Sequence, residues 1–88
     1  MLLYEDARGV LEDNEISDNF TTGIEVIEGA RPVVRGNRIR RNGRQAILVN
    51  DGGGGTFEGN DLTGNAGGPW AIHVDCVPDV ERRDNVTD

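Results

Sequence analysis

The chain has few of the residues that build a thick hydrophobic core. Its 88 residues include two Phe, one Tyr and one Trp, and 35% of the chain is hydrophobic. The single cysteine, Cys76, excludes an internal disulfide and any metal site made only of cysteines. A chain of this length with so little aromatic mass forms at most one small domain.

Long apolar runs are missing as well. No run of about 18 apolar residues is long enough for a membrane span. The opening Met1-Leu2-Leu3 is shorter than the apolar part of a secretory signal, which needs roughly 7 residues or more. We therefore expect a soluble chain without a signal peptide or a transmembrane segment, while its compartment stays open.

A repeat of 23 residues organises the chain. Three segments share one pattern of apolar and asparagine positions: LEDNEISDN from Leu11, VRGNRIRRN from Val34 and FEGNDLTGN from Phe57. GIEVIE from Gly23 returns as AILVND from Ala46 and, displaced by two residues, as AIHVDC from Ala71. The displacement predicts a two-residue insertion within residues 66–70, and a less regular fourth copy starts at Val80.

The repeat predicts an all-β fold. Apolar residues two positions apart, separated by Asn and Gly, are typical of short strands and turns, and no segment has the apolar stripe of a helix. Three short strands per repeat form one coil of a single-stranded parallel β-helix, or β-solenoid, with coils about 4.8 Å apart. We predict about 3 to 4 coils, with approximate bounds 6–28, 29–51, 52–76 and a partial coil 77–88.

The 23-residue register assigns the core and the turns. Four stacks of apolar residues fill the interior: Leu11, Val34 and Phe57; Ile16, Ile39 and Leu62; Ile24, Ile47 and Ile72; Val26, Val49 and Val74. Two asparagine columns lie at turns: Asn14, Asn37 and Asn60; Asn19, Asn42 and Asn65. Asparagine tolerates left-handed backbone, and its amide both donates and accepts, so each column is predicted to form a structural ladder.

The frame N-x-I-x-x-N followed by G-I-x-V resembles the right-handed parallel β-helix repeat of the pectate-lyase-like superfamily of carbohydrate-binding proteins and sugar hydrolases. GVLEDNEISDN, from Gly9 to Asn19, is similar to repeats in β-helical F-box substrate adaptors. The resemblance covers nearly the whole chain and implies a right-handed β-helix, a scaffold that carries many functions. The N-T-D, D-D and G-H-G elements of polygalacturonase-like enzymes are not present. Whether the chain is an enzyme stays open, and we favour that it is not.

Trp70, His73 and Asp75 are the candidate ligand-binding residues. In a strand, His73 and Asp75 point to one face, opposite Ile72 and Val74. An aromatic ring beside these polar groups is suited to stack on a sugar or a peptide. The alternative is that Trp70 folds over an apolar edge of the coil.

The same strand column has an outward side. Its two predicted rows are Leu2, Glu25, Leu48 and His73, and Tyr4, Ile27, Asn50 and Asp75. Leu2, Tyr4, Ile27 and Leu48 are then exposed together, which favours an interface because the fold does not require apolar residues there.

Glu5, Glu28 and Asp51 form a third column at 23-residue spacing. Stacked carboxylates repel one another unless water or a cation screens them. Two interpretations are open: a solvated turn, which we favour, and a calcium or magnesium site of low affinity. We otherwise expect no cofactor.

Basic residues crowd into RGNRIRRNG, from Arg35, although the formal net charge is -7. On the register, Arg35 stacks between Glu12 and Glu58, Arg38 lies between Glu15 and Asp61, and Arg41 lies beside Asp18, whereas Arg40 and Arg44 have no acidic partner in column. The run is therefore predicted to be the charge complement of its own repeats. A nucleic-acid surface needs basic residues along a whole face, so we expect no nucleic-acid partner and no membrane partner.

Two functional hypotheses follow. The first is a non-catalytic β-helix module that binds a protein or a glycan, or that assembles with itself. The second is a fragment of a polysaccharide lyase, glycoside hydrolase or epimerase. Since the open ends of stacked coils expose unpaired strand groups, we expect either a homo-oligomer or a part of a longer chain.

Overall fold

Ten short strands and one 3₁₀ helix make up the fold. The structure is a computed structural model and describes residues 1–88. The helix covers Val74–Asp79. The strands are β1 (Leu2–Leu3), β2 (Val10–Glu12), β3 (Glu15–Ser17), β4 (Ile24–Val26), β5 (Val33–Arg35), β6 (Arg38–Arg40), β7 (Ile47–Val49), β8 (Gly55–Glu58), β9 (Trp70–Ile72) and β10 (Val80–Arg83).

All strand pairs are parallel and connect successive coils. The first sheet has the order β1-β4-β7-β9, the second β2-β5-β8-β10 and the third β3-β6. Single bridges from Arg38 to Asp61 and from Asp61 to Val86 extend the third sheet. The chain thus winds as a β-solenoid of about four turns, which confirms the predicted all-β parallel fold.

The 23-residue register is confirmed in the first three coils. Leu11 pairs with Val34, and Val34 with Phe57, along the second sheet. Ile16 pairs with Ile39 in the third sheet. The core residues with no exposed surface are Ile24, Val26, Ala30, Val34, Ile39, Ala46, Ile47, Val49, Phe57 and Leu62. The interior is therefore the narrow, largely aliphatic core that the repeat predicted.

The last stack of the first sheet differs from the prediction. Ile47 pairs with Trp70 and Val49 pairs with Ile72, so the spacing here is still 23 residues. Val74, predicted to be a core residue, is 74% exposed. The insertion predicted within residues 66–70 is also wrong, because the two extra residues follow Ile72.

The 3₁₀ helix accommodates this insertion. Gly55 pairs with Val80, at a separation of 25 residues rather than 23. The helix Val74–Asp79 lies between β9 and β10 and buries Cys76. Its six residues replace the turn that joins the first and second sheets in the earlier coils. They take up the two extra residues without a break in either sheet.

Side-chain amides join the coils along both asparagine columns. In the first column the Nδ2 of Asn14 donates to Oδ1 of Asn37 at 3.2 Å, and Asn37 donates to Asn60 at 3.2 Å. Asn60 continues to Asn85 at 3.0 Å, a fourth member that the prediction did not include. In the second column Asn19 donates to Asn42 and Asn42 to Asn65, both at 2.8 Å.

The residue before each ladder asparagine has left-handed backbone. The first column follows Asp13, Gly36, Gly59 and Asp84, whose φ angles are 58°, 65°, 64° and 55°. The second column follows Asp18, Arg41 and Gly64, at 60°, 57° and 72°. A left-handed residue places a sharp bend in the backbone directly before each ladder asparagine.

Candidate functional site

The outer side of the first sheet brings the predicted interface residues together. Leu2 pairs with Glu25, Glu25 with Leu48 and Leu48 with Ala71, so these four form one outward row. Their strand neighbours Ile24, Val26, Ile47 and Val49 are buried on the opposite side. Strand alternation therefore places the row toward solvent.

A second row lies at the ends of the same strands. The backbone N–H of Ile27 donates to Leu3 at 3.0 Å, that of Asn50 to Val26 at 3.0 Å and that of His73 to Val49 at 2.9 Å. Tyr4, Ile27, Asn50 and His73 thus share this row. The predicted positions of His73 beside Leu48 and of Asp75 beside Asn50 are wrong, since the register is displaced by two residues.

We define the apolar face as Leu2, Tyr4, Ile27, Leu48 and Ala71. Leu2 and Tyr4 are 50% and 46% exposed, and the other three are half-buried. A shallow cavity of about 300 Å³ lies at one end of the face, against Leu48, Ala71 and His73. The role of the face as an interface stays a prediction.

The structure separates Trp70 from the two polar residues predicted beside it. The Trp70 ring lies inward, 5.7 Å from the ring of buried Phe57 in an edge-on arrangement. The guanidinium carbon of Arg82 lies 5.4 Å from the centre of the indole ring. Trp70 therefore packs on the core, which is the alternative that the sequence left open.

His73 and Asp75 form a local cap instead of a strand surface. The strand ends at Ile72, and the Nδ1 of His73 accepts from the backbone N–H of Asp75 at 3.2 Å. This bond caps the 3₁₀ helix, and the Asp75 side chain is 87% exposed. A ligand-binding role of Trp70, His73 and Asp75 stays a prediction, although the three do not line one surface.

Glu5, Glu28 and Asp51 lie in a stack of tight turns. All three have left-handed backbone, with φ angles of 53°, 52° and 48°. The backbone of Glu28 accepts from Asp6 at 2.9 Å, and that of Asp51 accepts from Gly29 at 3.3 Å. No three or more His, Cys, Asp or Glu side chains in the structure are grouped so that they could hold a metal ion.

The largest concave surface lies along the second asparagine column. This groove, which we call the Phe20 groove, has a volume of about 540 Å³. Its lining residues are Asp18, Asn19, Phe20, Arg41, Asn42, Gly43, Gly64, Asn65 and Ala66. Phe20 is 100% exposed. The corresponding residues of the next two coils are Gly43 and Ala66, so small side chains leave one side of the groove open beside the ring.

An ion pair lines the groove next to the ring. Arg41 Nε donates to Asp18 Oδ1 at 3.2 Å, and its Nη2 donates to Oδ2 at 3.4 Å. The hydrogen bond from Arg41 lowers the pKa of the Asp18 carboxyl. The same bond raises the pKa of Arg41. The two hydrogen bonds align the guanidinium with the carboxylate at the edge of the groove.

The sequence predicted the contact of Arg41 with Asp18 but not the position of Phe20 at the groove. A signal was present: Phe20 is the aromatic residue in a column whose other members are Gly43 and Ala66, outside every predicted core stack. An aromatic side chain that the core does not require is a candidate for binding.

Most of the basic run is paired with acidic residues of neighbouring coils. Arg35 Nε lies 2.7 Å from Glu12 Oε2, as the register predicted. Arg38 lies between Glu15 and Asp61 in register, as predicted. The ion pair of Glu15, however, is with Arg40 at 3.1 Å, which corrects the expectation that Arg40 lacks an acidic partner. Glu58 lies 3.4 Å from Arg83. Glu58 and Arg83 are directly opposite in register, whereas the contact of Glu15 with Arg40 is diagonal, because a long side chain reaches beyond the residue directly opposite.

Comparison with known families agrees with the fold. A family model described as the right handed beta helix region matches residues 1–83. The chain belongs to this family. No curated protein and no solved structure matches this β-helix significantly. The β-helix also contains no helix with the length and apolar character needed to cross a membrane.

Proposed function

We propose that this β-helix is a non-catalytic recognition module that binds a saccharide in the Phe20 groove. The observation that carries the proposal is the complete exposure of the Phe20 ring beside the largest groove. A fully exposed aromatic ring is unfavourable in water and gains free energy when an apolar surface covers it. The carbon-bound hydrogens on one face of a sugar ring provide such a surface.

The polar groups of the groove suit the hydroxyls of the same sugar. Asp18 and Arg41 are oriented by their mutual bonds, and each keeps hydrogen-bonding capacity that the ion pair does not use. The ladder amides of Asn19 and Asn42 are engaged with the next coil. Recognition therefore rests on one aromatic wall and one charged pair, a small number of polar groups beside an apolar surface.

The proposal is tested by screening the chain on an oligosaccharide array. Calorimetry then measures its affinity for each sugar that binds. We expect Phe20→Ala to weaken binding at least about tenfold, since the ring supplies most of the apolar contact. Tyr4→Ala is the matched control, because Tyr4 is an exposed aromatic residue outside the groove. Asp18→Asn is expected to weaken binding without a change in folding.

The same sugars also test the competing functions. The absence of any binding, or equal effects of Phe20→Ala and Tyr4→Ala, would contradict the saccharide proposal. Loss of binding in His73→Ala with full binding in Phe20→Ala would instead place the ligand at the helix cap. Release of shortened or unsaturated products during incubation would support the enzyme-fragment alternative and refute a non-catalytic role.

A further inference from the structure

The outward row that contains Leu2 and Leu48 also contains one carboxylate, Glu25, which differs from the other strand glutamates because no arginine is paired with it. Glu25 is half-buried in the outward row between Leu2 and Leu48. The structure contains no salt bridge or side-chain hydrogen bond of Glu25. The other four glutamates on strands each lie within 4 Å of an arginine: Glu12 with Arg35, Glu15 with Arg40, Glu58 with Arg83 and Glu81 with Arg83.

We propose that the apolar face binds a partner protein segment that presents one Arg or Lys side chain opposite Glu25, flanked by apolar side chains. This inference concerns a different surface from the Phe20 groove and does not depend on the saccharide proposal. The partner's apolar residues cover Leu2, Tyr4, Ile27 and Leu48, and its cation pairs with the carboxylate.

The chemistry of the partner follows from the cost of burial. A surface that covers Leu2 and Leu48 removes water from Glu25, which lies between them in register. An unpaired carboxylate in an interface is strongly unfavourable, so a stable complex requires a cation at that point. The formal net charge of -7 further attracts a basic segment and speeds its association.

The face is a poorer fit for other occupants. A two-fold pairing with a second copy brings no arginine to Glu25, because all nine basic residues lie outside the apolar face. For a small ligand, the only concave site of this face is the shallow cavity of about 300 Å³ at its edge. A protein segment covers both rows at once and supplies the missing charge.

Fluorescence anisotropy with labelled synthetic peptides tests this assignment on the intact chain. The probe is a short amphipathic peptide of leucine and lysine, and its comparison peptide has glutamate in place of every lysine. We expect saturable binding of the lysine peptide alone, weakened at least about tenfold by Glu25→Gln. Glu81→Gln, which removes an exposed and already paired strand carboxylate, is expected to change the affinity less than about twofold.

A second pair of variants tests the apolar contribution. Leu48→Asn is expected to abolish binding, whereas Val10→Asn, at an apolar site 55% exposed on the second sheet, leaves it intact. Circular dichroism identifies a variant that fails to fold, and Glu25→Gln then decides the outcome, since it preserves the side-chain shape. Equal effects of Glu25→Gln and Glu81→Gln, or no binding of the lysine peptide, would overturn the proposal. So would self-association of the chain that Leu48→Asn removes, because a second copy would then be the occupant.

Discussion

Two hydrogen bonds join Asn37 to Asn60 one coil away. The Oδ1 of Asn60 accepts from the backbone N–H of Asn37 at 3.0 Å and from its Nδ2 at 3.2 Å. The Nδ2 of Asn60 donates to the Val34 carbonyl at 2.9 Å and to Asn85 Oδ1 at 3.0 Å. Both asparagines are buried. The Asn60 side chain therefore satisfies two buried backbone groups of the preceding coil and also bonds Asn85 of the next coil.

Replacing Asn60 by Asp tests this relationship. The carboxylate keeps the size and the acceptor of the amide but loses both donors, and it places a charge against the Val34 carbonyl. We expect Asn60→Asp to lower the free energy of unfolding by about 3 kcal/mol or more. Asn50→Asp is the matched control: Asn50 is exposed and its side chain bonds only the adjacent Asp51 N–H. A similar loss for both variants in urea titrations would contradict a special role of the ladder.

The 23-residue period was sufficient to predict the fold because residues in successive coils occupy equivalent positions. Stacking transfers the period directly into parallel pairs such as Leu11 with Val34. The asparagine columns could be predicted as well, because asparagine is typical of turns. The register of residues 66–74 was predicted wrongly because Ile72 and Val74 match the apolar pattern of Ile47 and Val49 better than Trp70 and Ile72 do.

The candidate sites were harder to predict than the fold. The repeat predicts which side of a strand faces solvent. The structure places Leu2 and Leu48 in one outward row, as that pattern predicted. It does not predict how large a concave surface is left between small side chains, which depends on the three-dimensional packing around Gly43 and Ala66. The Phe20 groove and the unpaired state of Glu25 therefore became visible only in the structure.

A pair of alanine variants checks the revised register. Ile72 lies opposite Val49 on the inner side of the first sheet, whereas Val74 is 74% exposed. We expect Ile72→Ala to cost about 2 kcal/mol, the lower end for a buried Ile because Ile72 is only partly buried. Val74→Ala is expected to change stability by less than about 0.5 kcal/mol. The opposite order in thermal or urea denaturation would support the register with an insertion within residues 66–70.

A substitution at Gly43 tests how closely successive coils approach at the Phe20 groove. The Gly43 N–H donates to the Asn19 carbonyl at 2.8 Å, and a Cβ at Gly43 would overlap with the Phe20 carbonyl oxygen. Because a backbone atom cannot move aside as a flexible side chain does, we expect Gly43→Ala to destabilise the chain by about 3 kcal/mol. Gly64→Ala is the comparison: no atom lies within 4 Å of its Cβ position, although its φ is 72°. That variant should lose only about 1 kcal/mol, from backbone strain.

Protonation of Asp61 in acid is expected to lower the stability of the fold. The Thr63 hydroxyl donates to Asp61 Oδ1 at 2.7 Å, and this bond, followed by the Thr63 backbone N–H, holds the pKa of the carboxyl below its ordinary 3.8. A pKa lowered by folding contributes stability above pH 3.8, and that contribution is lost as the pH falls through the folded value. Thr63→Val removes the hydroxyl donor and should move the titration of Asp61, followed by carboxyl carbon NMR, toward 3.8.

Thr56→Val provides the control for that titration, since the Thr56 hydroxyl has no carboxylate partner in the structure. It should leave the Asp61 curve unchanged. If Thr63→Val also left the midpoint where it was, the backbone N–H and the nearby Arg38 and Arg40 would account for the lowered pKa, and the hydroxyl would contribute only to the geometry of the turn.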